Sequence, residues 1–260
     1  MNVLEIIFLG IVQGITEWLP ISSSGHLVLF EKWLNIDVDL SFDIFLHLAT
    51  LLVILWFFRS QIKEVILAPF GKAESDKKRW WLYIMVSSFF TAILGYIFYE
   101  QIDTFRTVDS VSGWLLVTSM LLLATKFSKG EKDLNIWHAI ALGLAQGFAV
   151  LPGLSRSGAV IALALTMKIK KDQAFEYGFI VAIPAILGSF LLTIKDIYAM
   201  FSSVGSEASI GFNWTYLAAF LVTMVVSYLS LSLLKVILKR DYFYLFFIYT
   251  LVLAVIIKLN

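Results

Sequence analysis

The sequence predicts an all-α polytopic membrane protein: six transmembrane helices plus two re-entrant helical hairpins, in an inverted-topology repeat within a single integral membrane domain, 1–260. Three observations predict it. Apolar residues make up 60% of the 260 and charged residues only 15%, against about half and about a quarter in an ordinary soluble domain. Six apolar segments have the length needed to cross a bilayer. Two more apolar stretches are broken at mid-length by Pro and hydroxyl residues, and these two repeat each other.

The first broken stretch covers roughly 1–34, with Leu-Pro-Ile-Ser-Ser-Ser-Gly-His at 19–26. Pro inside a helix costs about 3 kcal/mol and frees a carbonyl. Broken backbone at membrane depth is tolerated only inside protein or beside a wet cavity. The stretch therefore reads as a hairpin with a polar tip. Spans follow at about 41–58, 80–99 and 111–127, each near the ~20 residues that cross a ~30 Å core. The second hairpin covers 134–168, with Leu-Pro-Gly-Leu-Ser-Arg-Ser-Gly at 151–158, and spans at 174–194, 214–234 and 242–258 complete the chain. Trp56, Trp80, Trp81, Trp114 and Trp214 stand at span ends, where an amphipathic ring sits well.

Charge supports this layout. If each hairpin returns to its own side, fifteen basic residues fall on one side, Lys72 and Lys77–Arg79 among them. Only Lys32, Arg106, Lys195 and Lys258 fall on the other. By the positive-inside rule the basic side is cytoplasmic. The first hairpin then enters from outside and the second from inside. A shift of 133 residues aligns the hairpins without a gap. Leu9, Gly10, Gln13, Gly14, Ser22, Ser24 and Gly25 recur as Leu142, Gly143, Gln146, Gly147, Ser155, Ser157 and Gly158, where chance gives about one identity. Phe42–Asp43 meets Phe175–Glu176 in the same register. Repeat 1 is about 1–130 and repeat 2 about 134–260. An odd number of crossings per half inverts the second and brings both tips to the midplane.

Several functions are excluded. Twenty basic and nineteen acidic residues nearly cancel, so no nucleic-acid surface is expected. There is no Cys, hence no disulfide, thiolate metal site or Cys nucleophile. No basic stretch precedes the first apolar segment, so no signal-peptide layout is expected. No nucleotide motif is present, so no nucleotide cofactor is expected.

The two tips differ where chemistry is needed. Glu17, Ser23 and His26 have Val150, Arg156 and Ala159 at the equivalent positions. Ionisable groups at membrane depth point to function. Glu17 can take a proton, bind a divalent cation as a metal ligand, or pair structurally with Arg156. It shares a helix face with Gln13. Ser22, Ser23, Ser24 and Gly25 offer hydroxyls and backbone N–H groups at a helix start, which suits phosphate, although serines there also cap helices. His26 titrates near neutral pH. Arg156, flanked by Ser155 and Ser157, presents a planar fork that matches phosphate oxygens. His47 supports the site or only packs its helix, and His138 is structural.

These residues resemble the undecaprenyl-diphosphate phosphatase family of the bacitracin-resistance type. Its first motif is matched by Gln13, Glu17 and Pro20-Ile21-Ser22-Ser23-Ser24-Gly25-His26, and its second by Pro152-Gly153-Leu154-Ser155-Arg156-Ser157-Gly158-Ala159-Val160. Gln13 stands where many members have Glu, and Val160 replaces a closing Thr. The resemblance covers essentially the whole chain. It implies a hydrolase of the plasma membrane, with its site facing outward, that cleaves a polyprenyl diphosphate to the monophosphate and recycles the carrier for envelope glycans. It also implies help from a divalent cation, Mg2+ or Ca2+. Glu17, Ser23, His26 and Arg156 are the expected catalytic residues, and Gln13, Ser22, Ser24, Gly25, Ser155 and Ser157 the expected substrate contacts. Ser23 is the preferred nucleophile, activated by Glu17 or His26, with direct attack by water the other route. Expected partners are the polyprenyl diphosphate lipid, the bilayer and a second copy in a homodimer. The alternative function is a transporter or flippase of a phosphorylated lipid or anion, since inverted repeats with broken helices also build transporters.

Overall fold

The computed structural model describes residues 3–34, 40–71, 77–99, 101–191 and 214–259. Lys72, Lys195 and the side chains of Phe42, Asp43 and Trp214 lie outside the described residues. Among the described residues every regular element is helical, apart from an isolated parallel bridge between Lys132 and Ile169.

The first half contributes α1 (Val3–Thr16), α2 (Ser23–Leu34), α3 (Leu40–Phe57), α4 (Arg59–Leu67), α5 (Trp80–Tyr99), the single turn α6 (Ile102–Phe105) and α7 (Val108–Ala124). The second contributes α8 (Ile136–Phe148), α9 (Arg156–Thr166), α10 (Lys171–Ile180), α11 (182–191), α12 (Trp214–Lys239) and α13 (Phe246–Leu259).

Length sorts these helices. Trp80–Phe98, Val108–Phe127, Lys171–Leu191 and Tyr216–Lys239 are long and apolar enough to cross a membrane. Phe45–Phe57 and Arg59–Phe70, bent by 74°, make a fifth if taken as one span. Among the described residues the six expected spans are therefore four or five by this measure, and the segment expected at 242–258 is the shorter apolar helix Phe243–Leu259. The arms α1, α2, α8 and α9 hold 11 to 14 residues. At about 1.5 Å per residue they reach roughly 16–21 Å, short of a ~30 Å core.

The arms pack closely because small residues line one face. A Cβ on Gly10 would lie 2.9 Å from Thr223 Oγ1, and one on Gly14 2.9 Å from Val226 Cβ, so α1 sits tightly on α12. On α8, a Cβ on Gly143 would lie 2.5 Å from Ser87 O and one on Gly147 2.6 Å from Leu94 Cβ, which seats α8 on α5. Small residues spaced four apart allow this backbone approach inside a membrane. α7 packs against α13, and α9 against both α7 and α8.

The main core gathers Trp18, Phe58, Trp80, Tyr177 and Phe179. Trp80 is therefore a core residue, edge-on to Tyr177, whereas Trp56 is exposed with Arg59 over its ring. On the basic loops, Lys77 bonds Glu176 at 2.7 Å and ties the loop before α5 to α10. Lys170 bonds Asp133 at 2.7 Å and holds that exposed carboxyl below its ordinary pKa.

Candidate active site

The chain leaves α1 at Thr16 and enters α2 at Ser23 through a six-residue tip, and it leaves α8 at Phe148 and enters α9 at Arg156 through a similar one. Ser22 takes φ +70°, a left-handed conformation uncommon outside Gly. Its hydroxyl accepts from Gly25 N at 3.2 Å, capping α2, and from Gly153 N at 3.1 Å, across to the other tip. Ser155 caps α9 by accepting from Gly158 N at 3.1 Å. Capping satisfies N–H groups that a helix start leaves without partners.

The tips are locked together. Ser157 Oγ donates to Leu19 O at 3.2 Å. A Cβ on Gly25 would lie 3.2 Å from Gly153 Cα. Gly153 takes φ +98° and passes so near α7 that a Cβ would meet Val111 O at 2.5 Å. Thr118 of α7 accepts from Ser155 N at 3.1 Å and donates to Gly153 O at 3.0 Å. Gly25 and Ser157 thus serve the contact between tips, and neither lines the cavity described next.

That cavity, about 330 Å³, is lined by Glu17, Ser22, Ser23, Ser24, Ser155 and Arg156 from the tips and by His47, Thr91, Gln146 and Ser189 around them. Its size is that of a small-molecule site. Ala149, Val150, Leu154, Ala185 and Ile186 form an apolar wall. Glu17 stands at its centre. One carboxylate oxygen, Oε1, pairs with Arg156 Nη2. The other, Oε2, accepts from Ser23 Oγ at 2.8 Å and from Gln13 Nε2 at 3.1 Å, and His47 Nε2 lies 3.7 Å away. Arg156 also lies over the Trp18 ring at 5.9 Å. Its Nη1 is a buried donor without a hydrogen-bond partner among the described residues. A buried N–H without a partner is costly.

His26 lies elsewhere. It is buried, its Nδ1 is 2.7 Å from Ser22 O and its Nε2 2.7 Å from Tyr249 Oη, with the two rings stacked 5.7 Å apart. It does not line the cavity. The structure therefore brings Glu17, Ser23 and Arg156 together, with Gln13 on Glu17, Ser22, Ser24 and Ser155 along the wall, and His26 behind the tip. Sequence reasoning gave little weight to His47 and none to Gln146, Thr91, Thr118 or Tyr249. Gln146 carried a signal, since it is the partner of Gln13 in the 133-residue shift.

Glu17 is, among the described residues, the one carboxylate lining the cavity, and both its oxygens already face donors. Among the described residues no three His, Asp or Glu side chains gather to hold an ion. A divalent cation on Oε1 would compete with the guanidinium, and one on Oε2 with the Ser23 and Gln13 donors.

Known proteins match the chain over most of its length. An undecaprenyl-diphosphatase of Methanobrevibacter smithii is 35% identical over 262 residues, 93% of this chain and 91% of that protein. One of Korarchaeum cryptofilum is 34% identical, covering 99% and 98%. Undecaprenyl-diphosphatase 1 of Shouchella clausii is 33% identical, covering 99% and 96%. The family model described as bacitracin resistance protein BacA matches residues 6–256. Both facing tips and all but the first three residues of the arms fall inside that match, and the chain belongs to the BacA family of bacitracin resistance proteins.

Proposed function

We propose that this multi-pass membrane protein hydrolyses an undecaprenyl-type diphosphate to the monophosphate and phosphate, recycling the lipid carrier for envelope glycan synthesis. One observation carries this reading: a guanidinium from one tip meets a carboxylate and a serine hydroxyl from the other, on the wall of one cavity.

Arg156 draws in the diphosphate, and serine hydroxyls and tip N–H groups complete the cradle. Positioning and charge stabilisation of this kind dominate phosphoryl transfer. Ser23 attacks the terminal phosphorus and passes its proton to Glu17. The bond to the bridging oxygen breaks, and the lipid monophosphate leaves with the electron pair. Its second pKa is about 6, so it departs at neutral pH without a strong general acid. Water then cleaves the phosphoserine, and Glu17 returns the proton to Ser23. His26 serves from behind, holding the tip through Ser22 O. A divalent cation, Mg2+ or Ca2+, would add charge neutralisation to the bound diphosphate. The prenyl tail lies against apolar helix surface, beginning at the Ala149–Ile186 wall.

The finer architecture belongs to this reading. Six spans and two re-entrant hairpins form an inverted repeat in the plasma membrane, the site opens outward, and two copies pair as a homodimer. Two relations support the repeat. A shift of 133 carries α1, α2, α3, α5 and α7 onto α8, α9, α10–α11, α12 and α13. The same shift exchanges the α1–α12 contact with the α8–α5 contact.

The deciding experiment is phosphate release from a C55 or shorter polyprenyl diphosphate by the purified chain in detergent. Release is expected. No release with Mg2+ or Ca2+ present, together with counterflow of the lipid in vesicles, would replace the hydrolase with a transporter.

A further inference from the structure

We propose that His47 is a positioning residue for this hydrolysis, acting through the Glu17 carboxylate. The inference rests on the phosphatase reading above and assigns a duty within its site.

The chain has three histidines. His138 closes a capping box with Asn135 at the start of α8. His26 does not line the cavity and has Ser22 O and Tyr249 Oη on its two ring nitrogens. His47 is the imidazole on the cavity wall. It comes from α3, its side chain is 35% exposed, and its Nε2 lies 3.7 Å from Glu17 Oε2. That oxygen is the one Ser23 donates to, and Gln13 Nε2 donates to it as well. Groups from α1, α2 and α3 thus converge on a single carboxylate oxygen, while Arg156 holds the other.

The convergence matters because the last torsion of a Glu side chain is soft and roughly two-fold. When a diphosphate claims Arg156, the restraint on Oε1 weakens. Oε2 then stays aimed at Ser23 only if the donors around it remain. Gln13 supplies one at 3.1 Å from within α1. His47, at 3.7 Å a polar neighbour beyond hydrogen-bond distance in this state, is placed to supply another from an independent helix once the carboxylate shifts. The duty requires an N–H at Nε2 and no change of protonation.

The test is steady-state phosphate release from farnesyl diphosphate by the full chain in detergent, with variants that keep or remove the donor. His47→Leu is expected to lower kcat about 100-fold, the scale of a ~1 Å misplacement, with KM within about threefold of wild type. His47→Gln carries an amide N–H and is expected to recover kcat to within about threefold of wild type, with an unshifted pH profile. His47→Asn is polar but shorter and is expected to remain slow. It carries the test if the Leu variant fails to fold, as read by thermal unfolding in the same detergent. Any of three results overturns the assignment: a folded Leu or Asn variant with wild-type kcat, a Gln variant as slow as the Leu variant, or a loss carried by KM alone. A wild-type chain that releases no phosphate from any polyprenyl diphosphate overturns the phosphatase reading, and this assignment with it.

Discussion

Glu17→Gln removes one charge from the centre of the site and keeps nearly the same shape. In the wild-type chain Glu17 is 2% exposed and its partner Arg156 20% exposed. Removing one member of a fully buried ion pair costs about 3–5 kcal/mol. With the guanidinium partly open to the cavity, roughly half of that is expected, ~1.5–2.5 kcal/mol of stability. Phosphate affinity moves the other way. A phosphate on the Nη1 edge of Arg156 brings its charge to about 5 Å from the Glu17 carboxylate, a repulsion of ~3 kcal/mol at an effective dielectric of ~20. Partial solvation and salt reduce this to ~1–2 kcal/mol, so the Gln variant is expected to bind inorganic phosphate about 5- to 30-fold more tightly. Turnover falls about 10²- to 10⁴-fold, because the proton acceptor for Ser23 is gone. Calorimetric titration with phosphate, alongside phosphate release, measures both effects. Phosphate binding that is unchanged or weaker would refute the competition between Glu17 and substrate for Arg156, and turnover kept within about tenfold of wild type would refute Glu17 as the proton acceptor for Ser23.

Arg156→Lys keeps the charge but loses the planar fork and is expected to cost about 100-fold in turnover; near-normal phosphate release would count against direct phosphate contact. Ser23→Ala is expected to abolish both turnover and the acid-trapped phosphoserine from labelled substrate, whereas a loss of only about tenfold would mean that water attacks phosphorus directly. Gly153→Ala places a Cβ at φ +98°, 2.5 Å from Val111 O. The conformation alone costs ~1–2 kcal/mol and the tip must also shift, so the unfolding temperature in detergent is expected to drop roughly 4–8 °C. An unchanged value would show that the tip contact is looser than described.

The legible part of the site was the part written in local chemistry. Pro and Ser at two mid-points of apolar stretches mark broken backbone wherever they occur, and the structure places a tip at each. The pairing of Glu17 with Arg156, 139 residues apart, followed from a shift read on Gly, Ser and Gln, and the glycines of that shift prove to be the residues that let α1 and α8 approach their neighbours. Helix count was less legible because hydropathy does not report bends. The 74° turn beside Phe58 stands where the apolar run ends, and the polar Arg59–Leu67 piece joins the span only around that bend. The α10–α11 break at Val181 does have a signal, Pro184, whose ring leaves the Ile180 carbonyl without its helical donor.

The direction of a side chain around its helix was the least legible feature, and the two histidines show why. His26 sits four residues beyond Ser22 and three beyond Ser23, so proximity in sequence placed it in the reaction centre. The structure places it off the cavity lining. Position 26 lies one turn from position 22, on the face that returns to the Ser22 carbonyl, and the rotation that aims Ser23 at Glu17 aims the imidazole at Tyr249 of α13. His47 belongs to a different helix, thirty residues from Glu17 in sequence, and only the packing of α3 beside α1 brings it to the cavity. A motif names the residues a tip contains, but the helix that follows the tip decides which of them face the substrate. A site assembled from two such tips draws its remaining donors from whichever spans pack against them.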